Sequence, residues 1–182
     1  LLDVSYDFRW REVFPLQNLN IQQGKSSDTT GLEHPGGDVR VILYLESSAL
    51  VKRYIQEKGS QEVNAWIEAA DMVVTGLISR VEIAAAIARA ARMNLITPDG
   101  SLAALRQFRV EWESFHRLPI AENTLARGDT LAVEHNLRGF DATHLACALI
   151  WQETLGMTVT LVSFDSQLIE AARALQMAYL PV

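Results

Sequence analysis

From residue 41 onward, short apolar runs alternate with segments whose apolar positions recur every three or four residues. Val41–Leu45, Met72–Thr75 and Met157–Val162 have the aliphatic and β-branched content of buried strands. Leu118–Ala121 and Tyr179–Leu180 are shorter candidates. The intervening spacing predicts helices over Ser48–Gln56, Glu62–Ala70, Ser79–Met93, Asn123–Asn136 and Phe140–Thr154, and another after Asp165 through Leu175. Ser79 followed three residues later by Glu82 fits a capping box. Pro98-Asp99-Gly100 reads as a break before a helix holding Leu102, Leu105, Phe108, Val110, Trp112 and Phe115. Strands alternating with helices predict an α/β fold, a three-layer α/β/α sandwich around a small, mainly parallel sheet. Residues 1–40 break the pattern: Trp10, Phe14, Leu16 and Leu19 stand among polar residues, and residues 22–37 have loop composition. The expected division is an N-terminal arm and linker over 1–40 and one α/β domain over 41–182.

Composition narrows the class. With 49% hydrophobic and 21% charged residues the chain is an ordinary globular one rather than a disordered one. No apolar run is long enough to cross a bilayer, and residues 1–20 carry Asp3, Asp7, Arg9, Arg11 and Glu12 where a secretory signal has an apolar block. Cys147, the single cysteine, lies in an apolar stretch and reads as a small buried hydrophobe. The expected compartment is the cytoplasm, without membrane association. A net charge of -6 argues against nonspecific coating of nucleic acid. It leaves room for an enzyme acting on nucleic acid, because acids gathered around a cation add to the negative count.

Four acids stand beside apolar elements. Glu46 closes the first strand and Asp165 follows the last confident one; parallel strands share a functional edge, so both carboxylates are expected on one side of the sheet. Glu82 lies in an alanine-rich helix, where a carboxylate is costly unless paired or metal-bound. The capping box with Ser79 would explain it equally well. Asp141 opens a helix, a position the helix dipole favours, and Gly139 before it would allow close backbone approach. His144, one turn from Asp141, is expected to be a packed histidine. His34, His116, His135 and His144 lack zinc spacing, so an all-oxygen site would suit Mg2+ or Mn2+. No glycine-rich phosphate loop and no Ser-His-Asp order stands out.

The stretches Leu43-Tyr44-Leu45-Glu46-Ser47-Ser48-Ala49-Leu50-Val51-Lys52, Glu82 in its alanine-rich helix, Leu137-Arg138-Gly139-Phe140-Asp141-Ala142-Thr143-His144-Leu145-Ala146 and Val162-Ser163-Phe164-Asp165 resemble, in order and spacing, the four signature blocks of PIN domains. The resemblance covers Val41 to Val182 and points to the VapC-type branch, the toxins of toxin–antitoxin pairs. It implies an endoribonuclease in which Glu46, Glu82, Asp141 and Asp165 are both catalytic residues and ligands of Mg2+ or Mn2+. Asp141 and Glu46 are the expected principal ligands. Ser48 matches the small hydroxyl residue that supports the first acid, and Ser163 is assigned the same supporting role. Lys52, Arg53, Arg80 and Arg138, close to these acids in sequence, are the expected contacts for substrate phosphates. The resemblance also implies an RNA substrate, a homodimer and a cognate antitoxin. Val63, Trp66, Ile67, Trp112 and Phe115 are expected to supply apolar surface beyond the needs of the core. No other cofactor is implied. One departure matters: the first block usually has aspartate, and the extra methylene of Glu46 moves the carboxylate by about 1.5 Å, where ligand distances tolerate only about 0.2 Å. That substitution keeps two rivals in play, an inactive PIN-like protein-binding module and a metal-dependent nuclease or phosphatase with another substrate.

Overall fold

Alternation within Ile42–Leu45 (β1) decides the architecture. Ile42 and Tyr44 enter one apolar cluster and Leu43 and Leu45 another, so the strand is covered on both faces. The computed structural model describes residues 41–181; the expected arm at 1–40, with Trp10, Phe14, Leu16 and Leu19, lies outside the described residues. After β1 come α1 (Ser47–Leu50), α2 (Ser60–Ala69), β2 (Met72–Gly76), α3 (Ser79–Arg92) and α4 (Pro98–Glu111). Then follow β3 (His116–Leu118), α5 (Glu122–His135), α6 (Gly139–Leu155), β4 (Thr160–Val162), α7 (Ser166–Ala174) and β5 (Tyr179–Leu180). All strand pairs are parallel, in the order β3-β2-β1-β4-β5, with Tyr44 registered against Val74 on one side and Leu161 on the other. The chain builds from β1 out to β3 and then returns to the opposite side of β1 for β4 and β5. The switch point therefore lies between β1 and β4, where open parallel sheets leave a crevice beyond their C-terminal ends.

Two helical layers enclose the sheet, as the alternation of strands and helices predicts. Leu131 of α5, Leu145 and Ala148 of α6, and Leu168 and Ala172 of α7 cover the face bearing Ile42, Tyr44, Val74 and Leu161. Leu50 of α1, Ile83 and Ile87 of α3, and Phe108 of α4 cover the face bearing Leu43, Leu45 and Val162. Tyr54, Phe108, Trp112 and Phe115 pack edge to face in succession, with centroids 5.2, 5.4 and 6.4 Å apart. Val63, Trp112 and Phe115 are buried and Trp66 and Ile67, half-buried, pack against this cluster, so the core accounts for most of the apolar surface expected to exceed its needs. No helix among the described residues is long and apolar enough to cross a membrane.

Several boundaries differ from the sequence expectation for local reasons. Helix α4 begins at Pro98 rather than beyond Gly100, because Thr97 Oγ1 accepts the Gly100 N–H at 3.0 Å and proline suits the first helical position. Strand β3 ends at Leu118 and not at Ala121; Pro119 has no N–H to extend the ladder. Helix α1 stops at Leu50 and tightens into a 3-10 turn over Val51–Arg53, well short of Gln56. Gly59 has φ +94°, and a Cβ there would stand 2.7 Å from the Phe164 ring, so glycine is required both by the backbone and by the close approach.

Candidate active site

Glu46 follows β1 directly, and its N–H donates to the Val162 carbonyl of β4 at 3.0 Å. The residue is the N-cap of α1: Oε1 accepts the Ser48 N–H at 3.0 Å. Oε2 accepts both the Ser48 hydroxyl, at 2.5 Å, and the Ser163 hydroxyl, at 2.9 Å. The added methylene thus lets the carboxylate fold back onto its own cap and across to the β4 end. The two serines also tie down the second loop. Ser48 Oγ accepts the Phe164 N–H at 2.8 Å, and Ser163 Oγ accepts the Asp165 N–H at 3.1 Å. Three of these bonds join the two strand ends flanking the switch point: Glu46 N–H to Val162, Ser163 to Glu46, and Phe164 N–H to Ser48.

Asp165 caps α7, with Oδ1 accepting the Leu168 N–H at 3.0 Å. Its other oxygen, Oδ2, accepts from Arg138 Nη2 at 2.5 Å. Asp141 lies in the first turn of α6, and its Oδ2 accepts from Arg138 Nε at 3.0 Å. One guanidinium therefore bridges the two aspartates. The Arg138 side chain is 73% exposed, whereas those of Asp141 and Asp165 are 15% and 19% exposed. Burial pushes the Asp141 carboxyl above the usual aspartate range; Arg138 pulls it down, and the neighbouring charges of Asp165 and Glu46 push it further up. Asp141 thus shares its surroundings with two other acids.

Glu82 departs from its sequence expectation. The N-cap of α3 is Ile78 and no side chain caps the helix, so the Ser79–Glu82 capping box is not formed. Ser79 Oγ pairs with Thr75 Oγ1 at 2.7 Å, and Thr75 in turn donates to the Leu45 carbonyl at 2.7 Å. Freed from the cap, Glu82 Oε2 accepts from the Ser47 hydroxyl at 2.7 Å and lies 2.8 Å from His144 Nε2. On the far side of the ring, Nδ1 is 2.8 Å from the Tyr44 hydroxyl. With a neutral imidazole, Nε2–H donates to Glu82 and Nδ1 accepts from Tyr44, which leaves no polar atom of the ring unmet. Burial pushes Glu82 up, but the bonds from His144 and Ser47 outweigh it and hold the carboxyl below the usual glutamate range. His144 is buried, as expected, yet it is also the orienting partner of an acid. The available signal was its spacing from Asp141, three residues on along the same helix face. Ser47 and Tyr44 carried no signal of this kind.

All four acids line a single depression of about 590 Å³, together with Ser48, Arg138, Gly139, Phe140 and Thr143. Gly139 is not needed for packing, since a Cβ there would meet nothing within 4 Å. Of the four cations expected to meet substrate, Arg138 alone lines this depression. Lys52 is buried, donating to Glu57 and the Lys58 carbonyl at 2.8 and 2.9 Å and lying over the Phe164 ring. Arg53 is clamped by Glu111, and the Arg80 guanidinium lies 5.9 Å from the centroid of Trp112. Lys52 and Arg53 are therefore structural ties, spent on neighbouring carboxylates.

The acids offer only hard oxygen donors, the chemistry that Mg2+ and Mn2+ require. A cation already stands among them in the form of the Arg138 guanidinium. With it in place, no three His, Cys, Asp or Glu side chains among the described residues are grouped closely enough to hold a metal ion. The site thus fits a divalent cation in charge and donor type.

The profile of the PIN domain family matches residues 43–174, a span that contains all four acids. The chain belongs to the PIN-domain family. Among its relatives is ribonuclease VapC49 of Mycobacterium tuberculosis (strain ATCC 25618 / H37Rv), 32% identical over 108 residues, covering 59% of this chain and 75% of the relative. Ribonuclease VapC35 of the same strain is 31% identical over 139 residues, covering 75% and 94%. Among solved structures, FitAcB from Neisseria gonorrhoeae superposes with a TM-score of 0.56 at 15% identity, covering 77% of this chain and 97% of that one. This last likeness bears on the fold: the three-layer arrangement around a parallel sheet is shared by a PIN-domain chain and its structural neighbour.

Proposed function

We propose that this PIN-domain chain is a Mg2+- or Mn2+-dependent endoribonuclease, the toxin of a toxin–antitoxin pair. The observation that carries the proposal is the meeting of Glu46, Glu82, Asp141 and Asp165 around one depression at the switch point. Relatives named ribonuclease VapC support RNA as the substrate. When bound, the cation supplies charge neutralisation at the scissile phosphate and a water of lowered pKa. The residues of the chain do the rest. Glu46 is held in place at the end of β1 through its bonds to Ser48 and Ser163. Glu82 is kept anionic and oriented by His144 and Ser47. Arg138 is the cation on the wall of the depression that can pair with a substrate phosphate. Phe140, exposed on the same wall, offers a stacking face to an unpaired base. Hydrolysis by water needs no 2′-hydroxyl nucleophile and leaves 5′-phosphate and 3′-hydroxyl ends. The same reading includes a homodimer, an antitoxin that covers the acidic depression, and residues 41–182 as the nuclease domain.

The test is cleavage of total cellular RNA with end-group mapping. Cleavage should require Mg2+ or Mn2+ and stop with chelator, and Asp141→Asn should lower the rate by a factor on the order of 100 or more. RNA left intact by a protein that still binds Mn2+ would point instead to a catalytically silent binding module. Faster turnover of single-stranded DNA or of a small phosphoester would replace the substrate assignment.

A further inference from the structure

Arg138 is joined to the acid site in a way that bears on how a cation enters it. Its two bonds go to Oδ2 of Asp141 and Oδ2 of Asp165. Asp165 Oδ1 is already committed to the α7 cap through the Leu168 N–H. The oxygen that Asp165 has left for a cation is therefore the one Arg138 holds. Both Glu46 oxygens already accept hydrogen bonds, Oε1 from the Ser48 N–H and Oε2 from two hydroxyls, which leaves one acceptor site, on Oε1. Glu82 Oε2 is shared by Ser47 and His144, so the oxygen Glu82 offers a cation is Oε1.

The anchoring of Arg138 is one-sided. Its backbone is the N-cap of α6, in extended conformation with φ -68° and ψ 153°, and its side chain is 73% exposed. The two aspartates are the hydrogen-bonding partners of its side chain among the described residues. If those oxygens are taken by another cation, nothing in the packing holds the guanidinium back, and it already borders the depression that would receive substrate.

We propose that Arg138 is the built-in counter-cation of this site: it bridges Asp141 and Asp165, and Mg2+ or Mn2+ competes with it for the bridged oxygens and displaces it from both aspartates. The exchange has a direction set by charge. Two carboxylates and one guanidinium leave a net charge of -1, whereas a divalent ion cancels both carboxylates and releases the guanidinium to the phosphate side. The inference rests on the metal-dependent reading above. It adds that metal affinity is deliberately low until the guanidinium leaves, and that metal entry and exposure of a phosphate-binding cation are one event.

The test compares the wild-type full chain with Arg138→Gln and Arg138→Lys by Mn2+ titration calorimetry and by thermal unfolding in chelator. Arg138→Gln should bind Mn2+ about fivefold more tightly, the scale of two exposed ion pairs removed from the competition. Arg138→Lys keeps the charge but lacks the planar fork that spans two carboxylates, so it should also bind more tightly than wild type. In chelator Arg138→Gln should unfold at a lower temperature, and saturating Mn2+ should erase that deficit. Equal Mn2+ affinity in wild type and Arg138→Gln would overturn the proposal. Tighter binding by Arg138→Gln with Arg138→Lys equal to wild type would also overturn it, leaving only a long-range field effect. Failure of wild type and both variants to bind Mn2+ would remove the metal-dependent function itself, an outcome distinct from either.

Discussion

Glu46 occupies a position where its length matters more than its charge. An N-cap is ordinarily a short side chain that reaches the N–H two or three residues on. Glutamate does so here because Ser48 and Ser163 supply two hydroxyl donors that hold the longer chain bent. Aspartate at this position could keep the cap to the Ser48 N–H but would draw back from Ser163. Glu46→Asp is therefore expected to fold normally and to maintain or raise metal-dependent RNA cleavage. Glu46→Ala removes a buried acceptor of three hydrogen bonds and should cost about 1–3 kcal/mol in urea unfolding. It should also weaken Mn2+ binding measured by calorimetry; unchanged affinity would take Glu46 out of the site. The sequence led to the expectation that these four acids gather, because each stands next to an apolar element, and all four line one depression. Their hydrogen-bonding partners were not legible there. Ser79 and Glu82 have the spacing of a capping box, and only the burial of Ser79 against Thr75 diverts both side chains to other bonds. A sequence pattern records which groups could pair locally, and here tertiary neighbours offered better partners.

At the scale of elements, the Arg53–Glu111 pair fastens the turn after α1 to the end of α4. Arg53 Nε and Nη2 donate to the two carboxylate oxygens at 2.5 and 3.1 Å, and Tyr54 and Gln107 add bonds at 3.1 Å each. Burial alone would raise the Glu111 carboxyl, but the bonds from Arg53, Gln107 and Tyr54 outweigh it and hold it below the ordinary glutamate range. A depressed folded-state pKa means that the unfolded chain binds more protons over the titration range, so this contribution to stability grows with pH. It is fully present above the unfolded value of about 4.3 and is lost as pH falls through the folded one. Glu111→Gln should thus lower stability by about 1 kcal/mol at pH 7, a figure already discounted for solvent screening. The difference from wild type should be smaller at pH 3 than at pH 7, as followed by urea unfolding. An equal deficit at both pH values would mean that shape, not charge, makes the clamp. The periodic pattern revealed the long helices and the central strands well, because there burial repeats over several turns. The short strand β3 was set by a single event, a proline without an N–H after Leu118.

For the molecule as a whole, the site exists because the sheet switches direction at β1. Glu46 and Asp165 arrive from adjacent strand ends, Glu82 from α3 in one layer, and Asp141 with His144 from α6 in the other. Segments separated by more than a hundred positions in sequence thus meet in one depression. The mixed pattern of strands and helices in the sequence made this convergence legible, whereas the bridging by Arg138 depends on side-chain geometry that no spacing encodes. Among the described residues, two apolar clusters close over the two faces of the same strand. Each fully buried Leu, Ile or Phe in them contributes about 1.5–3 kcal/mol relative to exposure. Leu43, Leu45, Leu50, Ile83, Ile87, Leu145, Leu161 and Leu168 all fall in that class. No proposed ligand precedes Glu46. A chain beginning at Val41 is therefore expected to unfold in a single cooperative thermal transition and to bind Mn2+ as tightly as the full chain. Circular dichroism and calorimetry on the trimmed protein check both expectations. Loss of the cooperative transition would mean that residues 1–40 are integral to the fold, and a selective loss of Mn2+ binding would place part of the site among them.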